Sequence, residues 1–293
     1  MNKLSSIIPK YNKRQLKNFQ SENQYMEAVV ELLKQSIELI YLIVDERYCY
    51  GEEGLPKSIN RDEAILAGNL TRLIKLNTSL LENICNRKTE ISQIVLRCIA
   101  ETYINIAFML NSSDDRVFMN YIKYSLITEK ELWNKIIENI KERNGAVQDI
   151  ELRMQKSIQT SFIDSDFEFD KVNRSSKWKS ISERARMVSG EQFYKVYYGI
   201  ASHSIHDNWQ DILFNHLTPE GKEFKINLEW NKPRPQIVDG AIAMNLDLVK
   251  LFVAKEKINK QGDYQETVTL LQSYHNELMK SHENHMHNEE KTD

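Results

Sequence analysis

Apolar residues recur every three to four positions along most of this chain, a spacing that predicts long amphipathic helices. Tyr25, Met26, Val29, Val30, Leu33, Ile37, Ile40 and Val44 line one helix face. That helix opens at a Ser21–Gln24 capping box and ends near Tyr50, before the breaker running from Gly51 to Pro56. Asn60 with Glu63 opens a second helix through Leu66, Leu70, Leu73, Leu80 and Ile84. A third covers 89–110 and carries Ile91, Ile94, Val95, Ile99, Tyr103, Ile106 and Met109. The polar turn 111–115 leads into a short helix over 116–126. A capping box at Thr128 and Glu131 then starts another helix, which bends or stops at Asn144-Gly145.

Residues 159–177 read as an irregular stretch in which Asp164, Asp166, Glu168 and Asp170 alternate with Phe167 and Phe169. The glycine and terminal glutamate of a calcium loop are missing, so a solvated connector is the expectation. Helices resume over 180–188 and, past Ser189-Gly190, over 191–206. Within the loop 218–236, alternation over 223–230 predicts a short hairpin or edge strand. The last helices span 238–258 and 264–280, and the polar remainder is expected to fray. The organisation predicted is an arm over 1–20, a helical core over 21–217, the loop 218–236, C-terminal helices packing on the core over 237–280, and a flexible tail over 281–293. The fold class is all-α, a bundle of about eight to ten helices.

Composition narrows the function classes. The 293 residues are 41% hydrophobic and 28% charged, enough apolar material for a packed core and too much for disorder. A net charge of -3 argues against a protein held to nucleic acid by bulk charge alone. Nine glycines and five prolines fit long helices better than many strands. Cys49, Cys85 and Cys98 have no metal-type spacing and form no disulfide framework, as in a reducing cytoplasm. The greasiest run, Ile37–Val44, is far shorter than the ~20 residues of a membrane span. The expectation is a cytoplasmic protein without a membrane segment, a cofactor or a metal centre.

Candidate chemistry concentrates in one helix. Tyr194, Tyr198, Ser202 and His206 fall four apart and share a line on it, with His203 and Asp207 alongside. Polar groups on an apolar face are either a hydrogen-bonded core network or a site. As a site, His206 serves as general acid or base, with Ser202 and Tyr198 orienting it or the substrate. His203, His206 and Asp207 form a metal-binding alternative, but no matching Glu-x-x-His pair lies on a second helix. Arg97 and Glu101, one turn apart in the apolar third helix, are expected to form a partly buried ion pair. Four of the seven histidines, His275, His282, His285 and His287, crowd the last helix and tail, where adventitious metal binding is the simplest expectation.

Two segments together carry a family resemblance. One is Leu96-Arg97-Cys98-Ile99-Ala100-Glu101 followed by Phe118-x-x-Tyr121. The other runs from Trp178 through Arg184 into Tyr194-x-x-x-Tyr198-x-x-x-Ser202-x-x-x-His206. In this order they resemble the bacterial proteins of domain of unknown function 5677, over about Leu70 to Asn215. The Tyr-Ser-His helix is also similar to that of HEPN domains, which include dimeric, metal-independent ribonucleases of toxin and phage-defence systems. In those, an arginine four to six residues from the histidine faces RNA at a dimer cleft. Here a six-residue gap before His206 falls on Gly199, so the charge would come from Arg97, Arg184 or Arg186. The resemblance implies a helical stress or defence protein acting on RNA or a nucleotide and working as a homo-oligomer or with a protein partner. The alternative is a non-catalytic helical interaction or sensor module, with the polar cluster as core.

Overall fold

The computed structural model describes residues 3–50, 56–172, 177–199, 208–256, 258 and 261–289. Ten α-helices lie among the described residues: α1 Lys13–Leu16, α2 Glu22–Val44, α3 Arg61–Cys85, α4 Thr89–Asn111, α5 Val117–Glu142, α6 Asp149–Asp164, α7 Ile181–Phe193, α8 Trp209–Asn215, α9 Pro235–Lys255 and α10 Gln261–Glu289. Two short strands, β1 Leu217–Glu220 and β2 Glu223–Ile226, pair antiparallel with Leu217 opposite Ile226. Gly221, at φ 64°, makes their tight turn. Among the described residues the chain is all-α apart from this hairpin, which lies slightly upstream of the 223–230 expected.

The chain divides into two compact units, residues 1–111 with 184–293, and residues 112–183. In the first, α9 packs against α2, α4 and α10, and α3 packs against α2 and α4. Leu33, Leu39 and Ile40 of α2, Leu73 and Leu80 of α3, Ile99 and Ile104 of α4, Ile242 and Phe252 of α9, and Leu271 and Leu278 of α10 are fully buried. Each fully buried Leu, Ile or Phe contributes about 1.5–3 kcal/mol, so the helix faces read from spacing are what hold the bundle. A buried polar link between α2, α3 and α9 crosses this core. Asn77 of α3 and Asn245 of α9 exchange amide hydrogen bonds of 3.1 and 3.0 Å, and Asn245 also donates to Ser36 of α2 at 3.0 Å. In the second unit, Leu126 and Ile136 of α5 pack with Ile158 and Phe162 of α6 and with Val172.

Several boundaries differ from the pattern-based expectation. Asn60 and Glu63 form their reciprocal cap, but Ser21 supplies no side-chain cap. Instead Gln24 Oε1 accepts from the Gln20 amide at 2.7 Å. The break at Thr128 is absent: α5 is continuous, because no glycine or proline interrupts 117–142 and Leu126 and Ile136 bury in one cluster. The stretch expected to be irregular from 159 is helical to Asp164, held by buried Phe162. The tail expected to fray from Ser281 is helical through Glu289, with His282 only 1% exposed. Among the described residues, the helix long and apolar enough to cross a membrane is α4, not α2. Half of its most apolar window is buried, and it packs on α3 and α9 as a core helix does.

Candidate functional site

The site grows out of α4, which reaches chain elements far along the sequence. Tyr103 lies near its middle and is buried. Its hydroxyl donates to Asp247 Oδ2 on α9 at 2.5 Å and lies 3.0 Å from Ser189 Oγ on α7. Burial, then the charge of the neighbouring Asp247 carboxylate, hold the Tyr103 phenol above its usual range. It therefore stays protonated and keeps donating to Asp247, while its oxygen accepts from the Ser189 hydroxyl and so holds Ser189 in place. The next residue, Gly190, has φ 82° and ψ 172°, a conformation essentially restricted to glycine. The chain kinks there and, after Phe193, enters a π-helical turn, Tyr194–Gly199. Such turns insert an extra residue and frequently mark functional positions.

That turn packs on α4 and presents Tyr198 to Arg97. Tyr198 is 7% exposed. The Arg97 guanidinium lies over its ring, with Cζ 3.1 Å from the centroid, and Nη2 donates to the hydroxyl. Cation and ring attract electrostatically, and the hydrogen bond fixes their relative orientation. Arg97 is half-buried, so the contact sits at the protein–solvent boundary.

The candidate residues from sequence are placed as follows. Arg97 and Tyr198 come together across 101 positions of chain. Glu101 does not join them. It is exposed, and among the described residues it forms no ion pair with Arg97. The partly buried Arg97–Glu101 pair is thus corrected: one turn of α4 carries Glu101 toward solvent, while Tyr198 takes the guanidinium. Arg184, in the first turn of α7, is 4% exposed and is engaged inside the protein. Ser202, His203 and His206, with Asp207, lie outside the described residues.

Several polar residues were not singled out by sequence reasoning. Ser189 and Asp247 are held by Tyr103, and the signal for Asp247 was an acid inside the apolar run of α9. Glu90 lies seven positions before Arg97 and hence on the same face of α4, two turns away. Glu90, Asp211 of α8 and His216 just beyond it place one donor atom each within 4.8 Å of one another. This is the one such group among the described residues. His275 Nε2 lies 2.6 Å from Asp239 Oδ1, an interhelical pair between α10 and α9 that spacing alone did not reveal.

A helical bundle in which an arginine and a tyrosine from distant segments meet at its surface is the class this fold and site define. The chain belongs to the family of unknown function DUF5677, whose profile matches residues 63–224, from α3 through β2. No curated protein and no solved structure matches the chain.

Proposed function

We propose that this protein cleaves RNA, or acts on a nucleotide, at the α4 face that carries Arg97. In this reading the guanidinium stabilises charge on a phosphate as it becomes pentacoordinate. Tyr198 orients the guanidinium, His206 is the general acid or base, and Ser202 positions it. The similarity of the Tyr198, Ser202 and His206 spacing to that of HEPN domains supports the histidine's role. The single observation that carries the reading is the Arg97–Tyr198 contact. It brings a fixed cation to the described residue that stands four positions before Ser202 and eight before His206. No metal enters the reaction, so wild type should cleave single-stranded RNA in excess chelator. His206→Ala and Arg97→Ala should each lose at least about two orders of magnitude, the usual scale for an acid–base group or a charge-stabilising donor. Equal cleavage by all three proteins, or none by wild type, overturns the reading.

One observation favours a second reading, a non-catalytic interaction module that works as a homo-oligomer. Trp209 and Phe214 of α8, Phe224 and Ile226 of β2, and Leu228 and Trp230 are all at least 49% exposed and sit close in sequence. Exposed apolar patches of this kind mark association surfaces. Sedimentation of wild type against Ile226→Lys, with RNA cleavage assayed on both, tests it: a dimer dissociated by the lysine with no cleavage by either protein supports the module, and a monomer in both removes it.

A further inference from the structure

We propose that Glu90, Asp211 and His216 bind one divalent transition-metal cation of the Mn2+ or Zn2+ kind, a site independent of the RNA reading. The first argument is geometric. The three donor atoms lie within 4.8 Å of one another, and His216 Nε2 is 3.6 Å from Glu90 Oε1. With metal–ligand bonds of about 2.0–2.2 Å, two ligands on one ion stand roughly 3.0–4.4 Å apart. The set therefore closes on a single ion with side-chain shifts of a few tenths of an ångström.

The second argument is the shell behind the ligands. Asp211 is 6% exposed, and its Oδ1 accepts from Asn215 Nδ2 at 3.0 Å. Asn215 Oδ1 in turn accepts from Asn231 Nδ2 at 3.2 Å. Asn231 also donates to the Phe214 carbonyl at 2.7 Å, and its own carbonyl accepts from the Thr89 hydroxyl, next to Glu90. Chains of neutral amides that aim a carboxylate are the outer-shell arrangement of metal sites, where they fix ligand orientation.

The third argument is charge. A buried carboxylate beside a second carboxylate is costly unless a cation faces both. Among the described residues neither Glu90 nor Asp211 forms a salt bridge with a lysine or arginine; the basic side chain that stands against Glu90 is His216. A dication held by all three offsets both negative charges, with an imidazole nitrogen of His216 as the third ligand. Beside the group lies a cavity of about 150 Å³, lined by Glu90, His216, Asn215, Asn227 and Trp230 among others. It supplies an entry path and room for water or substrate at the open coordination positions that three protein ligands leave. One imidazole with two carboxylates selects borderline cations over Ca2+ or Mg2+, which take all-oxygen sets.

The test is metal binding by the full chain. Mn2+ titration is followed by loss of the free-ion electron paramagnetic resonance signal, and Zn2+ titration by calorimetry. Wild type should bind one equivalent that Glu90→Gln, Asp211→Asn and His216→Gln each lose, whatever the C-terminal histidines bind in addition. Asn215→Ala should keep the equivalent and weaken it about 10–100-fold, the outer-shell effect. His216 is about half exposed, so its variant decides the matter should the Asp211 variant fail to fold. Wild-type stoichiometry and affinity in the Glu90 and His216 variants, or no binding by wild type, overturns the site.

Discussion

Removing either partner of the Arg97–Tyr198 contact should loosen the π-helical turn from α4, and the energy of that coupling can be worked from the geometry. Arg97→Met keeps most of the side chain's length and loses the charge; Tyr198→Leu keeps an apolar side chain and loses the ring and hydroxyl. Stacking of a half-exposed guanidinium on a ring contributes about 0.5–1 kcal/mol. The charge-assisted hydrogen bond to a buried hydroxyl adds about 1 kcal/mol once solvent screening is allowed for. A double-mutant cycle should therefore give a coupling of about 1.5–2 kcal/mol. Each single variant would lower the melting temperature by roughly 3–8 °C for a unit of this size. Urea denaturation followed by circular dichroism on wild type, both single variants and the double variant measures it. If the single effects add to within about 0.5 kcal/mol, the contact holds nothing, and the described half of the site loses its basis.

Gly190→Ala forces a side chain into a backbone region reserved for glycine, while the space around its Cβ is open. The loss should be about 1–3 kcal/mol from strain alone, read as a lowered urea midpoint. Asn77→Ala leaves the buried Asn245 Oδ1 without its donor and should cost about 1–3 kcal/mol, whereas Asn77→Leu combined with Asn245→Leu should recover much of it; calorimetric melting checks both. His282 is held neutral. Burial lowers its pKa below the ordinary 6.5, outweighing the carboxylates of Glu22 and Glu283, which raise it. Its contribution to stability is complete above about pH 6.5 and is lost as pH falls from there toward the depressed folded value. His282→Leu should flatten the melting temperature between pH 7 and 5 relative to wild type. His206→Ala should leave the melting temperature nearly unchanged if the histidine is open to substrate, and lower it by several degrees if it is a core partner.

The helical faces were legible because burial and spacing agree: Leu33, Ile40, Leu73, Leu80 and Ile99 recur at helical intervals and are all fully buried. Helix starts were less so. Asn60 and Glu63 cap as their pattern suggests, but Thr128 and Glu131 show the same pattern inside a helix. A local motif stops a helix only where the continuing backbone has no better packing. The tail misled for a related reason, since His282 and His285 are polar in composition but pack against the Tyr25 ring, with centroids 5.0 and 5.3 Å away. At the site, Arg97 and Tyr198 stood out as polar residues on apolar helices, yet Arg97's partner was not its neighbour Glu101. Long-range pairing decides which polar groups meet, and one-dimensional spacing does not carry it. Glu90, Asp211 and His216 escaped because 121 positions of chain separate Glu90 from Asp211, and only the fold brings their donor atoms within 4.8 Å of one another.

The central claim is that Arg97 presents its charge to the phosphate of a bound RNA. Fluorescence anisotropy of a labelled single-stranded RNA, at one fixed salt concentration, against folded wild type and Arg97→Met tests it most directly. Losing one charge-assisted phosphate contact, worth about 1.5–3 kcal/mol, should weaken binding roughly 10–100-fold. Equal affinity of the two proteins for the RNA contradicts the account.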